Sequence, residues 1–437
     1  MRIDQPLPVS PEERTPLLAA RREAKMTSSV HAYVRGSTKR FYEWSTAAPP
    51  GTFPSGPSIW IGGDCHVGNF GAIAAMGGEL GIDLRDLDQT VIGSPVHDVM
   101  RLGLSMAMAV RASDLPGECT ARVLESIARG YASVLEARAA HLDFIVRAPP
   151  AQVTGVLREA TSRSRREALA ERLGKHDGTI PIGRRFWPLT QPERTAVERL
   201  ILTARVRKLV TSLSRRSGGA SLSRRSGGAS LTSRDDDTGI ELVDAAYWVK
   251  GCSSLGYFRA AALVRVGGAK GTSKSLALLD VKEAIPALAP RAPRSRMPSN
   301  HGERVVTGAR ALAPSLGERM AAASLRDKHV FVRELLPQDL KLELTRLRRE
   351  EAIAIGGYLG SVLGVAHARQ LTPAACAAWL ASFRRGKSDN LTVPAWLWSA
   401  VVELVALHER AYLDHCRKHL ADGPRPRPAA EDLPLTG

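Results

Sequence analysis

Two short apolar runs, each followed at once by polar side chains, constrain the fold of this chain more than any other feature. The first run, Ile59–Ile61, is predicted to be a buried strand that ends at a pair of glycines. The side chains that follow it include those of Asp64, His66 and Asn69. The second run, Leu80–Leu84, contains Asp83 and leads into Asp86 and Asp88. If the two runs form one hairpin, both polar clusters lie on loops held by a rigid scaffold, and we expect them to converge.

Carboxylates and an amide in one place are the groups that phosphoryl transfer needs. A carboxylate orients the attacking hydroxyl, and oxygen ligands hold the magnesium ion that neutralises the phosphates. We therefore interpret Asp64 and His66 as catalytic residues, with Asp64 as the base, Asn69 and Asp86 as metal ligands and Asp88 as a second metal-binding carboxylate. Two alternatives remain open. One is a polar turn whose side chains only cap local backbone, and the other is a hydrolytic metal site in which His66 acts with the aspartates.

The first polar loop is similar to the catalytic loop of known kinases. Its Asp and Asn are five positions apart, as in protein kinases. The run Gly63–Asn69 (GDCHVGN) resembles the loop of aminoglycoside and choline kinases more closely, with Gly62 in place of their leading His. That resemblance implies that Asp86 is the first metal ligand and that Asp98 buttresses the catalytic loop. Alternatively, Asp98 is only the N-cap of a helix over Val99–Ala112, and Asp83 is a strand-end residue.

The second half of the chain changes from helical to strand periodicity. Strands are predicted at Leu242–Lys250, Tyr257–Val266 and Ser275–Ala284. The loop between the first two carries Gly251, Ser253, Ser254 and Gly256. Glycines let backbone N–H groups approach phosphates closely. The third strand carries Lys282, whose charge suits the phosphates of ATP.

Two acidic residues complete the predicted nucleotide site. Glu303 lies in a predicted helix over His301–Ala313, where we expect it to pair with Lys282, the alternative being that it only complements the helix dipole. Glu334 lies in a short predicted strand that would lead to a hinge, where backbone groups bind adenine.

The order of these parts is unusual for a kinase. A kinase chain runs from glycine loop, lysine, helix and hinge through a long helix to the catalytic loop and the magnesium Asp, whereas here the last two come first. Circular permutation is tolerated where chain termini lie close together at the surface. The predicted fold class is therefore α+β: a two-lobed, circularly permuted protein-kinase-like fold with a mostly helical large lobe and a small antiparallel-sheet lobe. The expected segments are a flexible arm (1–27), the catalytic-loop part of the large lobe (28–211), a flexible linker containing an exact tandem nonapeptide (212–237), the small nucleotide-binding lobe (238–336), the remaining helices (337–421) and a Pro-rich tail (422–437).

The same motifs resemble those of a bacterial family catalogued as domain of unknown function 2252. The resemblance rests on Arg35-Gly36, the loop from Gly63 to Gly71, Asp86 and Asp88 with the following Gly93 and Pro95, Ser254–Gly256, Val281–Ala284, Gly302–Val306, Val332–Leu335 and Ala366–Arg369. It covers most of the chain apart from the arm, the linker and the tail. Because the family has no settled reaction, the resemblance supports the fold more than the function.

Composition narrows the classes of partner. A length of 437 residues exceeds one ordinary core, which agrees with two lobes. The net charge of +17 would attract phosphates, nucleic acid or an anionic membrane. No nucleic-acid recognition fold and no interleaved aromatics accompany that charge, so we prefer a solvated basic face and do not expect a nucleic-acid partner. The scattered cysteines indicate a reducing compartment, and no apolar run approaches the roughly 20 residues of a membrane span. We therefore expect a cytoplasmic protein.

The function predicted from these features is ATP- and Mg²⁺-dependent phosphotransfer to an unidentified small molecule. A nucleotide-binding regulatory module with little turnover is one alternative. A nucleotidyl transferase that uses the same groups is another. Neither the acceptor nor the oligomeric state follows from the sequence.

Overall fold

The computed structural model describes residues 7–75, 78–144, 146–174, 178–217, 239–267, 275–344, 346–385, 387–388 and 391–421, and the statements below concern those residues. The second copy of the nonapeptide (221–229) and the tail (422–437) lie outside them. The elements of the first half are α1 (Pro11–Thr27), α2 (Val30–Gly36), α3 (Thr38–Ala47), β1 (Ile59–Ile61), β2 (Phe70–Ala74), β3 (Leu80–Leu84), β4 (Val91–Gly93), α4 (Pro95–Ala112), α5 (Gly117–Ala139), α6 (Ala151–Ser162), α7 (Arg165–Leu173), β5 (Phe186–Trp187), α8 (Gln191–Ile201) and α9 (Ala204–Ser217). Those of the second half are β6 (Ile240–Trp248), β7 (Arg259–Val266), β8 (Ser275–Glu283), α10 (His301–Leu312), α11 (Pro314–Gly317), β9 (Met320–Leu325), β10 (Lys328–Glu334), α12 (Arg349–Ala368), α13 (Pro373–Phe383), β11 (Lys387–Ser388), β12 (Leu391–Pro394) and α14 (Ala395–Ala421). The predicted α+β class is confirmed by this mixture of helices and antiparallel sheets.

A six-stranded antiparallel sheet runs in the order β5-β6-β7-β8-β10-β9. One of its faces, which includes Val264, Leu279 and Val332, packs against α8, α9 and Leu18 of α1. Because side chains alternate along a strand, Asp280, Lys282 and Arg333 lie on the opposite face. The predicted boundary at residue 211 assigned β5, α8 and α9 to the helical lobe, but in the structure all three belong with this sheet.

A second hydrophobic core is formed around α4, α5 and α12. α5 and α12 approach each other closely: a Cβ added at Gly130 would lie 2.1 Å from the carbonyl oxygen of Gly357, and one at Gly360 would lie 2.3 Å from that of Ile127. Glycine is therefore required at this crossing. Among the described residues, α12 is the one helix long and apolar enough to cross a membrane, but 78% of its most apolar window is buried here. Packing in this core accounts for its apolar character.

The two apolar runs that define the polar clusters do not pair with each other. β1 pairs with β4, with Ile59 opposite Gly93, and β3 pairs with β2, with Phe70 opposite Leu84. The single hairpin predicted from the sequence is wrong because the apolar segment Phe70–Ala74 supplies the partner of β3. The clusters still meet, since Asn69 immediately precedes β2 and Asp86 follows β3.

The expected flexible arm is also wrong over much of its length, because α1 is an anchored helix. Ser10 and Glu13 form a capping box at its start, where each side chain accepts from the backbone of the other. Arg14 makes a buried ion pair with Glu193 of α8 at 2.9 Å, and its guanidinium lies over the ring of Tyr247 at 4.4 Å. The capping box and the Pro at the helix start were readable signals that the polar, Pro-rich composition obscured.

Candidate functional site

The predicted catalytic loop, Gly63–Asn69, is held in place by Asp98. Asp98 is fully buried in the first turn of α4 and accepts hydrogen bonds from the backbone N–H of Gly62 (2.7 Å) and of Gly63 (2.9 Å). Ser94, not Asp98, is the N-cap of α4. Gly63 has φ +73°, and a Cβ there would lie 2.2 Å from the carbonyl oxygen of Gln89, so only glycine fits. The buttress predicted for Asp98 is confirmed, and the N-cap alternative is wrong.

A chain of buried polar side chains continues from Asp98 into the helical core. Trp379 Nε1 donates to the hydroxyl of Tyr131 (3.0 Å), which leaves that hydroxyl to donate to Nδ1 of His367 (2.9 Å). His367 then carries its proton on Nε2 and donates it to Oδ2 of Asp98 (3.1 Å). Each donor in this series has one acceptor, so the tautomer of His367 is fixed by its neighbours. This series of hydrogen bonds links α13, α5 and α12 to the predicted catalytic loop.

We expect Tyr131→Phe to lower the free energy of unfolding by about 1–3 kcal/mol. The substitution leaves Trp379 Nε1 and His367 Nδ1 buried without a partner, and each unsatisfied group costs free energy. Urea unfolding followed by circular dichroism measures the change. Tyr358→Phe is the matched control, since no hydrogen bond of the Tyr358 hydroxyl occurs among the described residues and the residue is similarly buried. Equal losses of unfolding free energy in the two variants would contradict the assigned series of hydrogen bonds.

The carboxylate of Asp64 is buried and held in place by hydrogen bonds. Its Oδ1 accepts from Nε of Arg101 at 2.7 Å, and its Oδ2 accepts from Oγ1 of Thr38 at 3.1 Å. Burial raises the pKa of Asp64 above its ordinary value, although Arg101 and Thr38 oppose the rise. A fixed carboxylate with a raised pKa is suited to accepting a proton from a hydroxyl.

Arg101 is a site residue that the sequence analysis missed. It lies one turn after Asp98 on α4, is 1% exposed, and also donates through Nη2 to the carbonyl oxygen of Val34 at 2.7 Å. It therefore links the end of α2 to Asp64. The available signal was an arginine inside an otherwise apolar helix, since such a residue is seldom buried without a partner.

His66 lies beside Asp64, but no group of side chains that could bind a metal ion forms around it among the described residues. Its Nε2 is 3.8 Å from Oδ2 of Asp64, and its Nδ1 is buried without a hydrogen-bond partner among the described residues. Burial and the neighbouring charges of Arg35 and Arg101 keep the pKa of His66 well below its ordinary value, so the ring is neutral. No group of three His, Cys, Asp or Glu side chains that could hold a metal occurs in the described part of the chain. The described residues therefore offer no set of metal ligands for the alternative function, a hydrolytic metal site that uses His66.

Asn69 and Asp86 lie at the ends of two paired strands, since Asn69 immediately precedes β2 and Asp86 follows β3. The amide nitrogen of Asn69 donates to the carbonyl oxygen of Asp64 at 2.8 Å, which leaves its side-chain oxygen as the atom that can bind a cation. The backbone N–H of Arg85 donates to the carbonyl oxygen of Asn69 at 2.8 Å. This bond places Asp86, the next residue, directly beside Asn69.

Lys282 of β8 reaches across to the aspartates of the loop after β3. Its Nζ is 3.5 Å from Oδ1 of Asp86 and also contacts Oδ2 of Asp88. Lys282 is only 5% exposed, whereas the side chain of Asp86 is about half exposed (49%). A small cavity of about 10 Å³ adjoins the contact and is lined by residues that include Asp86, Lys282 and Arg333. Lys282 and the two aspartates, which are distant in the sequence, therefore lie together in one site.

The two aspartates differ in their electrostatic surroundings. The partial loss of hydration at the half-exposed Asp86 disfavours its charge, but the charges of Lys282 and Arg333 outweigh this loss and hold the pKa of Asp86 below its usual range. Burial and the charge of Asp86 raise the pKa of Asp88 to about 6, although Lys282 opposes the rise. Oδ1 of Asp88 is buried without a hydrogen-bond partner among the described residues. This oxygen, with Asp86 and Asn69, fits a hard cation that shares phosphate oxygens, because Mg²⁺ needs only one or two protein carboxylates.

Asp83 does not belong to this group. It lies within β3, where its Oδ1 accepts from the backbone N–H of Leu84 at 2.8 Å. Burial raises the pKa of Asp83 to about 6, and Arg369 opposes the rise. Asp83 is therefore a strand residue, as the alternative interpretation held.

Behind Lys282, the same face of the sheet carries a buried ionic cluster that the sequence analysis missed. Asp280 accepts a bidentate pair of hydrogen bonds from Arg259, at 2.8 Å from Nε and 2.6 Å from Nη2. Nε of Arg333 lies 3.5 Å from the same carboxylate. Burial disfavours the charge of Asp280, but Arg259 and Arg333 hold its pKa below the usual range. Asp280 and Lys282 are two positions apart on β8, so their side chains point to the same face of the sheet. This spacing was the sequence signal for the cluster.

The predicted glycine loop connects β6 and β7 and packs against the N-terminal helices. Gly251 has φ +109° and Gly256 has φ +106°; a Cβ at Gly251 would lie 2.2 Å from Oγ of Ser254. Cys252 at the loop tip clusters with Met26 and Tyr33. Ser253 is exposed and Ser254 is half-buried. The loop therefore lies at the edge of the site, next to α2.

The predicted pair of Glu303 with Lys282 is wrong. Glu303 is 44% exposed and its Oε1 lies 3.0 Å from Nη1 of Arg205. The next residue, Arg304, faces the site instead: its Nη2 donates to the carbonyl oxygens of Asp88 (2.9 Å) and Ile285 (2.8 Å), and its Nη1 donates to that of Thr90. One helical position changes the direction of a side chain by about 100°, so Arg304, and not Glu303, points towards the Asp88 loop. Arg304 holds the backbone of the Asp88 loop.

Glu334, predicted to lie at the hinge, is the last residue of β10 and is buried opposite Leu279 of β8. The preceding residue, Arg333, donates through Nη1 to the carbonyl oxygen of Arg85 at 2.8 Å. The end of β10 therefore lies against the loop that carries Asp86.

A family model described as an uncharacterized protein conserved in bacteria (DUF2252) matches residues 14–418. The matched range includes every residue of the site above. No curated protein and no solved structure matches the chain.

Proposed function

The chain belongs to the DUF2252 family, whose description assigns no reaction, and from its site we propose that it is an ATP- and Mg²⁺-dependent phosphotransferase with a small-molecule acceptor. The observation that carries the proposal is the contact of Lys282 with Asp86 and Asp88, residues separated by about two hundred positions in the chain (196 for Asp86). A strand-borne lysine beside metal-binding carboxylates, near a loop with a fixed Asp and Asn, is what phosphoryl transfer uses.

The fold that best accounts for this arrangement is a circularly permuted protein-kinase-like fold. β6, the glycine loop, β7 and β8 follow one another, with Lys282 on the third strand; α10, the β9–β10 pair and the long helix α12 come next. The catalytic loop and the magnesium aspartates lie at the beginning of the chain and meet this segment in space. The proposal predicts that joining the present termini and cutting before β1 would restore the usual kinase order.

In the proposed reaction, the chain's own groups position the acceptor and the phosphates. The carboxylate of Asp64 accepts the proton of the acceptor hydroxyl while the hydroxyl oxygen forms a bond to the γ-phosphorus of ATP. The bond between that phosphorus and its bridging oxygen breaks, and ADP leaves with the electron pair. Lys282 and the glycine loop bind the phosphates, and Arg101 with Thr38 keeps Asp64 oriented. Asn69, Asp86 and Asp88 would hold Mg²⁺, which would supply the charge neutralisation that the phosphates require.

The proposed place of action is the cytoplasm, where ATP is available. All five cysteines are free, and free thiols are typical of a reducing compartment. Cys65 is buried, and its pKa is raised well above the ordinary value by burial, so it is an inert filler beside Asp64 and not a nucleophile.

Identification of the products tests the proposal. The purified chain is incubated with MgATP and a pool of hydroxyl-bearing metabolites, and mass spectrometry follows the nucleotide and the pool. ADP together with a metabolite heavier by one phosphoryl group is the expected result. Pyrophosphate together with a nucleotidylated product would instead indicate nucleotidyl transfer and would contradict the proposed phosphotransfer. Binding of MgATP without turnover on any pool would indicate a regulatory module and contradict the proposed enzyme.

A further inference from the structure

Two buried nitrogen atoms that have no partner among the described residues belong to side chains on either side of Gly68 in the predicted catalytic loop. A Cβ added at Gly68 would lie 3.3 Å from Cζ and Nε of Arg35 and 3.3 Å from Cε1 of His66, so these two side chains close on one point of the backbone. Nε of Arg35 and Nδ1 of His66 are both buried, and neither has a hydrogen-bond partner among the described residues. His66 is only 4% exposed. A buried polar nitrogen left without a partner costs free energy, which a ligand that accepts its hydrogen bond would recover.

The surroundings of Arg35 are strongly basic. Lys341 lies on the segment that pairs with Gly71 of β2, and its charge is close enough to Arg35 that burial and Arg35 together lower the pKa of Lys341. His31, one turn before Arg35 on α2, has its pKa lowered to about 4 by burial, then by Arg35 and Lys341. Glu343, which contacts Lys341 at 2.9 Å, offsets only part of this charge, because its own side chain is 69% exposed. Like charges brought together in this way favour a bound anion.

This basic group lies on the side of the site where the acceptor hydroxyl is oriented. Nε of Arg35 and Cε1 of His66 each lie 3.3 Å from the Cβ position of Gly68, and Nε2 of His66 is 3.8 Å from Oδ2 of Asp64. His66 therefore approaches both Asp64 and the position beside Gly68 that Arg35 also approaches. Of the groups assigned to the phosphates of ATP, Lys282 lies on β8 of the sheet, whereas the glycine loop packs against α2 beside Gly36.

We propose that Arg35, His66 and Lys341 bind a compact oxyanion, a carboxylate, sulfate or phosphate group, carried by the acceptor next to its reacting hydroxyl. The inference rests on the proposed phosphotransfer and names its substrate class: hydroxylated acids or phosphorylated alcohols, and not neutral or cationic alcohols. Arg35 presents a planar fork of donors that matches an oxyanion, and neutral His66 adds one further donor in the tautomer that carries its proton on Nδ1. The γ-phosphate of ATP has the same chemistry, so the experiment must separate the two sources.

Calorimetric titration with sodium sulfate at constant ionic strength, followed by a separate titration with MgATP, separates them. Arg35→Gln should weaken sulfate binding by about ten- to hundredfold, because the lost hydrogen bonds are to a charged group. The same variant should bind MgATP like the wild type. Lys282→Met should behave in the opposite way. Arg40→Gln, an exposed arginine on the neighbouring helix α3, is the matched control and should change neither titration. Circular dichroism verifies that each variant is folded, and Arg35→Lys, which keeps the charge but not the fork, should retain part of the sulfate affinity.

Two results would overturn the acceptor site. One is sulfate binding that is indifferent to Arg35→Gln. The other is a loss of MgATP affinity in Arg35→Gln equal to that in Lys282→Met, which would make Arg35 part of the nucleotide site. Failure of the proposed function gives a different pattern: MgATP binds to no variant, while sulfate still binds in an Arg35-dependent way. With the site intact, screening hydroxylated acids against their amides should give turnover only with the acids, and turnover of the amides would contradict the inference.

Discussion

Asp64→Asn is expected to lower kcat by about 10²–10⁴-fold, the usual contribution of a positioned acid or base, while MgATP affinity stays near that of the wild type. The reason is that Asp64 is assigned to the acceptor hydroxyl and not to the metal. The amide keeps the shape of the carboxylate, and its oxygen can still accept from Nε of Arg101, which lies 2.7 Å away in the wild type. Steady-state kinetics and calorimetric titration with MgATP measure the two quantities independently.

Thr38→Val is the matched control for this substitution. It removes the hydrogen bond of 3.1 Å to Oδ2 of Asp64 but leaves the base itself in place. Its effect on kcat should be much smaller than that of Asp64→Asn. If Asp64→Asn instead weakens MgATP binding as strongly as it slows turnover, Asp64 is a metal ligand and the assignment of the loop is wrong.

The pH dependence of kcat follows from the raised pKa of Asp64. The base acts only when ionised, and burial raises its pKa above the ordinary value for an aspartate. Activity should therefore be full at higher pH and fall as the pH drops through that raised pKa. The acidic limb should lie above the range of an exposed aspartate and disappear in Asp64→Asn, if residual turnover is measurable.

The sequence was sufficient to place a candidate site residue where its position depends on neighbours in the chain. Asp64 and Asp86 follow the ends of β1 and β3 and Asn69 precedes β2, so that Asn69 lies beside both Asp64 and the segment that carries Asp86. The role of Asp98 also followed from its place at the start of a helix directly after the loop. In each of these cases local geometry decides where the side chain points.

The sequence was insufficient where a partner comes from a distant element. Arg101 and Arg304 resembled ordinary helical residues, and only the packing of α4 on α2 and of α10 on the Asp88 loop shows what they bind. Glu303 was chosen over Arg304 because a kinase-like site favours a glutamate there, and the rotation of α10 is a tertiary property. The partner of β3 was missed for a similar reason, since two apolar segments compete for one strand and periodicity does not rank them.

The largest expected effect on ligand binding concerns the contact of Lys282 with Asp86. A ligand that binds only the folded protein stabilises it by RT ln(1 + [L]/Kd), about 2.7 kcal/mol at a hundredfold excess over Kd. MgATP should therefore raise the Tm of the wild type by a few degrees. Lys282→Met and Asp86→Asn should each remove most of that rise, because each loses a contact with the same nucleotide. Glu303→Gln is the matched control and should retain the full rise, since Glu303 pairs with Arg205 at the surface.

The ligand-free Tm values distinguish the two variants from each other. Lys282→Met leaves Asp86 and Asp88 without the cation that both contact, so their mutual repulsion should lower the ligand-free Tm. Asp86→Asn keeps the contact of Lys282 with Asp88 and should lower it less. Each rise in Tm on adding MgATP is therefore compared with the Tm of the same variant without ligand.

The double variant should lose little more of the rise in Tm than either single variant, because the two side chains act on one ligand and their effects are not additive. If MgATP gives no rise in the wild type while zinc or manganese alone does, the kinase interpretation fails and the loop aspartates with His66 belong to a metal hydrolase.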